Sequence, residues 1–286
     1  MARGHSPLST AKCKEIIHGK KYNSPLPVFS LYYVAIDTEA GITTEQFETF
    51  VRQKGVYLPC YPGWRWTLLR GLRGKRVGQY LMLFEIDSVE HRNRYQSNDG
   101  NKTELANQFW QEQPQKIHQI LAEWQRYGTF SEIPTIYTDY QLLAENKKST
   151  VCYGPRYMER PNQETIARII GIHNLALRPG VKAETFETFI AENHHRIEDY
   201  PGWKFRLLKG ERGNRLDQYV VMMEIESLAA LNLFYPKPDI ATDNAFHFAR
   251  AHQDTKLMYK EWKQFASFSG SPQIYTDYLS VAESLG

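Results

Sequence analysis

Apolar positions fall into two rhythms along this chain, a period of two and a period of three to four, and the rhythms recur in the same order twice. Residues 28–36, VFSLYYVAI, are apolar, β-branched or aromatic throughout, which predicts a strand covered on both faces. Thr43 or Thr44 then starts a helix whose inward stripe is Phe47, Phe50 and Val51, and Pro59 and Pro62 stop it. Trp64, Trp66 and Leu68 alternate along a second strand, and the stretch from Gly71 to Gly78 turns the chain into a third, residues 79–86. Ser88 begins a short helix. A longer helix is predicted from Leu105 to about Tyr127, with Trp110, Ile117, Leu121 and Trp124 on one face. After Pro134 the stretch IYTDYQLLAE reads as a fourth strand.

The same order returns with a strand at 168–177, a helix from Ala183, a hairpin over 202–225, helices at 227–235 and 243–266, and a strand at 274–282. The internal match is explicit. Residues 61–86, YPGWRWTLLRGLRGKRVGQYLMLFEI, align with residues 200–225, YPGWKFRLLKGERGNRLDQYVVMMEI, at an offset of 139. After one deleted residue the offset becomes 138, so that Trp124 matches Trp262 and IYTDY at 136 matches IYTDY at 274. The expected class is therefore α+β, two tandem ferredoxin-like βαββαβ repeats that close into an intrachain pseudo-dimeric α+β barrel. An N-terminal extension covers 1–27, the first repeat 28–145, a linker of mixed charge, Gly and Pro 146–166, and the second repeat 167–286.

Composition narrows the partners. A net charge of +3, from 35 basic against 32 acidic residues, gives no field that would mark a nucleic-acid partner. No run of about 18 apolar residues predicts a membrane span. Cys13, Cys60 and Cys152 have no paired spacing, so a reducing, cytoplasmic location is expected. The first 27 residues lack the apolar segment of a secretory signal and read as a tail or arm. A small-molecule ligand and a monomer carrying its own pseudo-dimer are the expectation, with further dimerisation left open.

Histidine sets the halves apart. His173, His194, His195, His247 and His252 align in that register with Val34, Gly55, Val56, Phe109 and Pro114. Both halves need the same core, so positions that differ this sharply are poor candidates for fold requirements. His252 lies on the stripe Phe248, His252, Thr255, Tyr259, Trp262, which predicts a ring directed under the helix toward the sheet. Its bland reading is a satisfied core histidine. His194 borders the inward face of its helix, whereas His195 and His247 read as surface residues. His252 and His194 are the candidate catalytic groups, and His173, Trp203, Arg206 and Tyr259 the candidate substrate contacts.

The arginines carry the opposite logic. Arg73 and Arg76 recur as Arg212 and Arg215 in both hairpin turns, which suits a structural role such as pairing with Glu85 and Glu224 or capping the barrel end. Asp139 and Asp277 also recur and read as seam hydrogen-bond partners. No nucleotide-binding glycine loop, metalloprotease helix or serine-hydrolase elbow occurs.

Residues 175–203, LALRPGVKAETFETFIAENHHRIEDYPGW, resemble the EthD-type branch of the dimeric α+β-barrel superfamily at Arg178, Pro179, Gly180, Phe186, His194, Pro201 and Gly202. The first half departs from that pattern, with Gly55 in place of His194 and Thr38 to Gly41 in place of Arg-x-Pro-Gly. The resemblance implies a small-molecule cavity between sheet and helices, used for cofactor-free oxygenation, cyclisation or isomerisation of aromatic or polyketide-like compounds. No cofactor is expected on this reading. Because other members bind haem, a haem protein with His252 as axial ligand is the alternative, and a non-catalytic ligand-binding or scaffold protein is a third.

Overall fold

The structure, a computed structural model, describes residues 26–130, 137–145, 167–238, 240–268 and 275–284. The expected linker at 146–166 and most of the N-terminal extension lie outside them. In the first half the elements are β1 (Val28–Ile36), α1 (Thr44–Gln53), β2 (Trp64–Gly74), β3 (Tyr80–Ile86), α2 (Val89–Tyr95), α3 (Glu104–Gln111), α4 (Gln115–Tyr127), β4 (Gly128–Phe130) and β5 (Tyr137–Glu145). The second half repeats them as β6 (Ile169–Leu177), α5 (Ala183–Asn193), β7 (Trp203–Gly213), β8 (Tyr219–Ile225), α6 (Leu228–Phe234), α7 (Asp243–Ala251), α8 (Gln253–Phe265), β9 (Ala266–Phe268) and β10 (Tyr275–Glu283).

Local chemistry explains where the helices start. Thr43 caps α1 in a reciprocal capping box with Gln46, and the Ser88 and Ser227 side chains accept from the His91 and Ala230 amides at the starts of α2 and α6. One expectation fails in both halves. The long helices are each two helices, because Pro114 interrupts the first pair and His252, at φ −110° and ψ 71°, interrupts the second. Proline has no N–H to continue the ladder, and at His252 the backbone simply leaves the helical region. The stripe containing His252 is thus a corner rather than a continuous face.

Eight strands close into an antiparallel barrel in the order β10-β2-β3-β1-β5-β7-β8-β6, with β6 returning to β10. The short β4 and β9 extend β1 and β6 at the outside. Each half contributes its last strand to the other, so that β5 pairs with β7 and β10 with β2. These seams cannot form without both repeats. The barrel is filled by apolar side chains from both halves, among them Leu31, Leu69, Leu83, Leu142, Ile170, Leu208 and Met222. The two largest of the remaining apolar clusters lie between the outer face of the sheet and the helices. Phe47, Val51, Leu68 and Trp124 centre one, and Phe186, Ile190, Leu207 and Trp262 the other.

The expected partners of the hairpin arginines differ from those observed. At one barrel end Glu85 and Glu224 are held by Arg168, with Arg206 also on Glu224. Arg212 instead bonds to Asp139, to the Ser97 carbonyl and to Gln96, while Arg73 crosses to the Tyr235 carbonyl, Asn232 and the Pro236 carbonyl. The reason is reach: the hairpins overhang the opposite half, so their side chains meet its helices and not their own strand's carboxylates. Arg212 and Arg73 each fasten one half to the other, whereas Arg76 bonds to Gln79 of its own hairpin and lies over the Tyr33 ring.

Candidate active site

A cavity of about 880 Å³ opens between the outer face of the second-half sheet and helices α6, α7 and α8. Trp203, Phe205 and Met223 form its floor from β7 and β8, and Leu231, Phe248 and Tyr259 cover it from the helices. Arg73, reaching over from the first half, completes one wall. The composition of this wall is mostly apolar and aromatic, which suits a ring-bearing ligand.

His252 faces this space from the corner between α7 and α8. Its Nδ1 lies 2.9 Å from the Phe248 carbonyl oxygen. A carbonyl only accepts, so Nδ1 carries hydrogen and Nε2 is the exchangeable nitrogen. Nε2 lies 3.1 Å from Oε2 of Glu198, and the ring leans on that of Phe248 at 4.0 Å. Glu198 is placed there by Thr255 on α8, whose hydroxyl accepts from the Glu198 amide at 2.9 Å and donates to the Arg196 carbonyl at 3.0 Å. Arg196 adds a two-pronged contact to Glu261 of the same helix, at 2.8 and 3.0 Å. The loop and the helix therefore move together, and the imidazole–carboxylate pair with them.

A second such pair lies on the sheet. His173 of β6 has its Nε2 3.6 Å from Oδ1 of Asp277 on the neighbouring strand β10. Gly171 makes room for it, since a Cβ there would stand 2.9 Å from that oxygen and 3.1 Å from the imidazole nitrogen. Three tyrosines complete the polar lining. The Tyr200 and Tyr235 hydroxyls are 2.9 Å apart, so one donates to the other and the second keeps a free O–H. Burial, followed by the Tyr235 hydroxyl, pushes the Tyr200 phenol well above its ordinary value. Burial, followed by the Asp199 carboxylate, does the same to Tyr259. Both remain proton donors at neutral pH. Asp199 itself accepts from the Phe205 amide at 2.8 Å.

Of the residues that the sequence singles out, His252, His173, Trp203 and Tyr259 come together on this cavity. His194 does not line it, and its Nδ1 lies 3.1 Å from the Ile190 carbonyl at the end of its own helix. Arg206 turns the other way, into the barrel end, where it meets Glu145 and Glu224 and covers the Phe29 ring. His195 and His247 are exposed. Glu198, Asp199, Tyr200, Tyr235 and Asp277 were not predicted as site residues. The first two had a signal in the repeat, because the first half carries Pro59 and Cys60 at those positions.

The structure also revises the alignment of the halves. Thr103 and Thr242 start equivalent helices, and Phe109 packs on Tyr61 as Phe248 packs on Tyr200. The deleted residue therefore falls at the corner after Phe248, and the counterpart of His247 is Gln108 rather than Phe109. His252 remains opposite Pro114.

Haem ligation through His252 does not fit this arrangement. Iron needs a ring nitrogen with an open lone pair, and here one nitrogen is held by its own helix and the other faces Glu198. Among the described residues no cluster of three or more His, Cys, Asp or Glu could hold a metal ion. No helix of the described residues is long and apolar enough to cross a membrane.

No protein family and no curated protein matches the sequence. Solved structures do match over most of the chain. A provisionally assigned monooxygenase from Lactobacillus acidophilus NCFM is 7% identical with a TM-score of 0.47, covering 91% of this chain and 96% of that one. An anthrone oxidase-like protein is 15% identical with a TM-score of 0.45, covering 92% and 93%. A provisionally assigned chlorite dismutase is 8% identical with a TM-score of 0.42, covering 89% and 95%.

Proposed function

We propose that the chain is an enzyme acting on a small aromatic or polyketide-like molecule in the second-half cavity, by proton abstraction that leads to oxygenation, cyclisation or isomerisation. The observation that carries this reading is the His252–Glu198 pair, with its tautomer set by the Phe248 carbonyl, facing a cavity walled by aromatic side chains. In its neutral form His252 turns its Nε2 lone pair toward Glu198, so the substrate's proton reaches Nε2 through that carboxylate, whose side chain is exposed at the cavity. Once Nε2 takes the substrate's proton, Glu198 at 3.1 Å stabilises the imidazolium. The free hydroxyl of the Tyr200–Tyr235 pair and that of Tyr259 are donors for the oxygen on which charge develops. His173 with Asp277 supplies a second proton-handling group on the facing wall.

Anthrone tests this directly, because its C10–H is acidic and its conjugate base keeps the negative charge on the ketone oxygen. With dioxygen as oxidant, anthrone and one O2 give anthraquinone and one water. Two readouts are needed: C10–H exchange in heavy water without oxygen, and oxygen uptake in air. Replacing His252 with Gln is expected to lower the enzyme-dependent exchange by on the order of 10²- to 10⁴-fold. Tight binding of anthrone with no exchange in the unaltered protein would instead favour a ligand-binding protein.

A further inference from the structure

We propose that the ligand of this cavity carries an anionic group, which a fence of four lysines at the mouth holds while the aromatic body enters. The proposal rests on the cavity being the ligand site and specifies what it selects. Lys256, Lys260 and Lys263 are spaced i, i+4 and i+7 on α8, so they form one stripe about 10 Å long beside the inward stripe of that helix. Lys237, from the loop after α6, contributes from outside α8. All four are exposed and border the cavity.

Two observations separate this fence from an ordinary solvated face. Among the described residues the lysines in ion pairs are Lys54, Lys204 and Lys209, so the four at the mouth have no acid of their own. The acids that line the same cavity are already engaged: Glu198 faces His252, Asp277 faces His173, and Asp199 takes the Phe205 amide. Arg73 is likewise spent on the Tyr235 carbonyl, Asn232 and the Pro236 carbonyl. The repeat supplies the second observation. The first-half counterparts of Lys237, Lys256, Lys260 and Lys263 are Asn98, His118, Ala122 and Gln125, none of them a permanent cation. Positive charge was gained, or kept, at the mouth of the second-half cavity.

Unpaired ammonium groups at the edge of a low-dielectric cavity attract an anion more strongly than the same groups on an open surface, because the cavity wall excludes screening water. A carboxylate, sulfonate or phenolate on an aromatic frame is the matching chemistry. Its charge would stay at the rim, leaving the reactive carbon near His252.

Two fluorescent probes with one ring skeleton test this: 8-anilinonaphthalene-1-sulfonate, which is anionic, and N-phenyl-1-naphthylamine, which is neutral. Changing Lys237, Lys256, Lys260 and Lys263 together to Gln should weaken the sulfonate probe roughly tenfold at low salt, an effect that fades near 0.5 M salt. The neutral probe should bind as before, and the fourfold Lys→Arg variant should keep sulfonate binding. Equal effects on both probes, or none on either, would overturn the proposal. Ala249→Trp, which fills the cavity, should remove both probes. If both still bind that variant, the cavity is not the ligand site, and the failure belongs to the functional reading and not to charge selection.

Discussion

Under the first-half helices, Tyr32 packs on Phe84 and Phe130 and takes a hydrogen bond from Gln96, Trp110 donates to the Tyr61 hydroxyl, and Arg92 is buried with its guanidinium against Glu211 and Asp139. The same stations in the second half are Gly171, Ala249 and Leu231. Three large side chains are replaced by small or simply apolar ones, and the second half holds a cavity where these residues stand in the first. What this teaches is that the barrel needs the outer sheet face covered by something, but does not need it filled by protein. The first half covers it with its own side chains. The second leaves a cavity and rings it with imidazoles, phenols and lysines.

The largest effect expected from breaking this comparison is on stability. Arg92 has only 2% of its side chain exposed and links two carboxylates, so Arg92→Leu, the residue found at the second-half station, leaves Asp139 with Arg212 alone. Breaking a buried pair by removing one partner costs about 3–5 kcal/mol. Because Asp139 keeps one arginine, the lower end of that range is expected by chemical denaturation. A loss below about 1 kcal/mol would mean that the first half does not depend on Arg92 as its filler.

The reverse change sharpens the comparison from the other side. Ala249 is exposed on α7, so Ala249→Trp should shift stability by no more than about 0.5 kcal/mol. The indole should occupy the cavity as Trp110 occupies the first half, and ligand affinity is expected to fall by on the order of 100-fold, about 2.7 kcal/mol. Titration calorimetry with the neutral naphthylamine probe reads this, and a thermal melt separates lost binding from lost fold. An unchanged affinity would place the guest elsewhere.

Much of the frame was legible from the repeat alone. Once Tyr-Pro-Gly-Trp and the Gln-Tyr strands stood in one register, four strands per half and closure between halves followed from the need to bury the inner face. The helix break was missed although its signal was present, since Pro114 falls inside the helix assigned to 105–127, and the repeat carries that break over to His252. Periodicity hid it because Phe248, His252, Thr255 and Tyr259 keep helical spacing through the corner. Of the cavity lining, part was legible. Histidine asymmetry led to His252 and His173, but the acids that orient them follow a different logic. Asp277 recurs as Asp139, and recurrence points to structure, which is correct for Asp139 on Arg212 and Arg92. The second copy turns toward a histidine because Arg92 is replaced by Leu231 and because Arg73, the counterpart of Arg212, bonds to Tyr235, Asn232 and Pro236 instead. His194 and Arg206 lie off the cavity, because sequence spacing places a residue on a face but not the direction of its terminal atoms.

The smallest expected effect tests what the halves have in common. Glu48 takes Arg70 and the Tyr80 hydroxyl in the first half, and Glu187 takes Lys209 and the Tyr219 hydroxyl at the equivalent place in the second. If these pairs belong to the frame and not to the guest site, Lys209→Gln should leave ligand affinity untouched and cost about 0.5–1 kcal/mol, since both partners remain partly exposed. The pH dependence identifies the source. Burial acts to raise the Glu187 carboxyl, but hydrogen bonds from Lys209 and Tyr219 outweigh it and hold the group below its ordinary 4.5. A carboxyl lowered by folding stabilises the fold above its unfolded value and loses that contribution as pH falls through the folded one. The difference between Lys209→Gln and the unaltered chain should therefore be full at pH 7 and shrink as the pH is taken below 4.5. Urea titrations at pH 7 and near pH 3 measure it. A deficit of the same size at both would assign the loss to the packing of the lysine's methylenes instead of to its charge, because that packing, unlike the carboxylate, does not titrate.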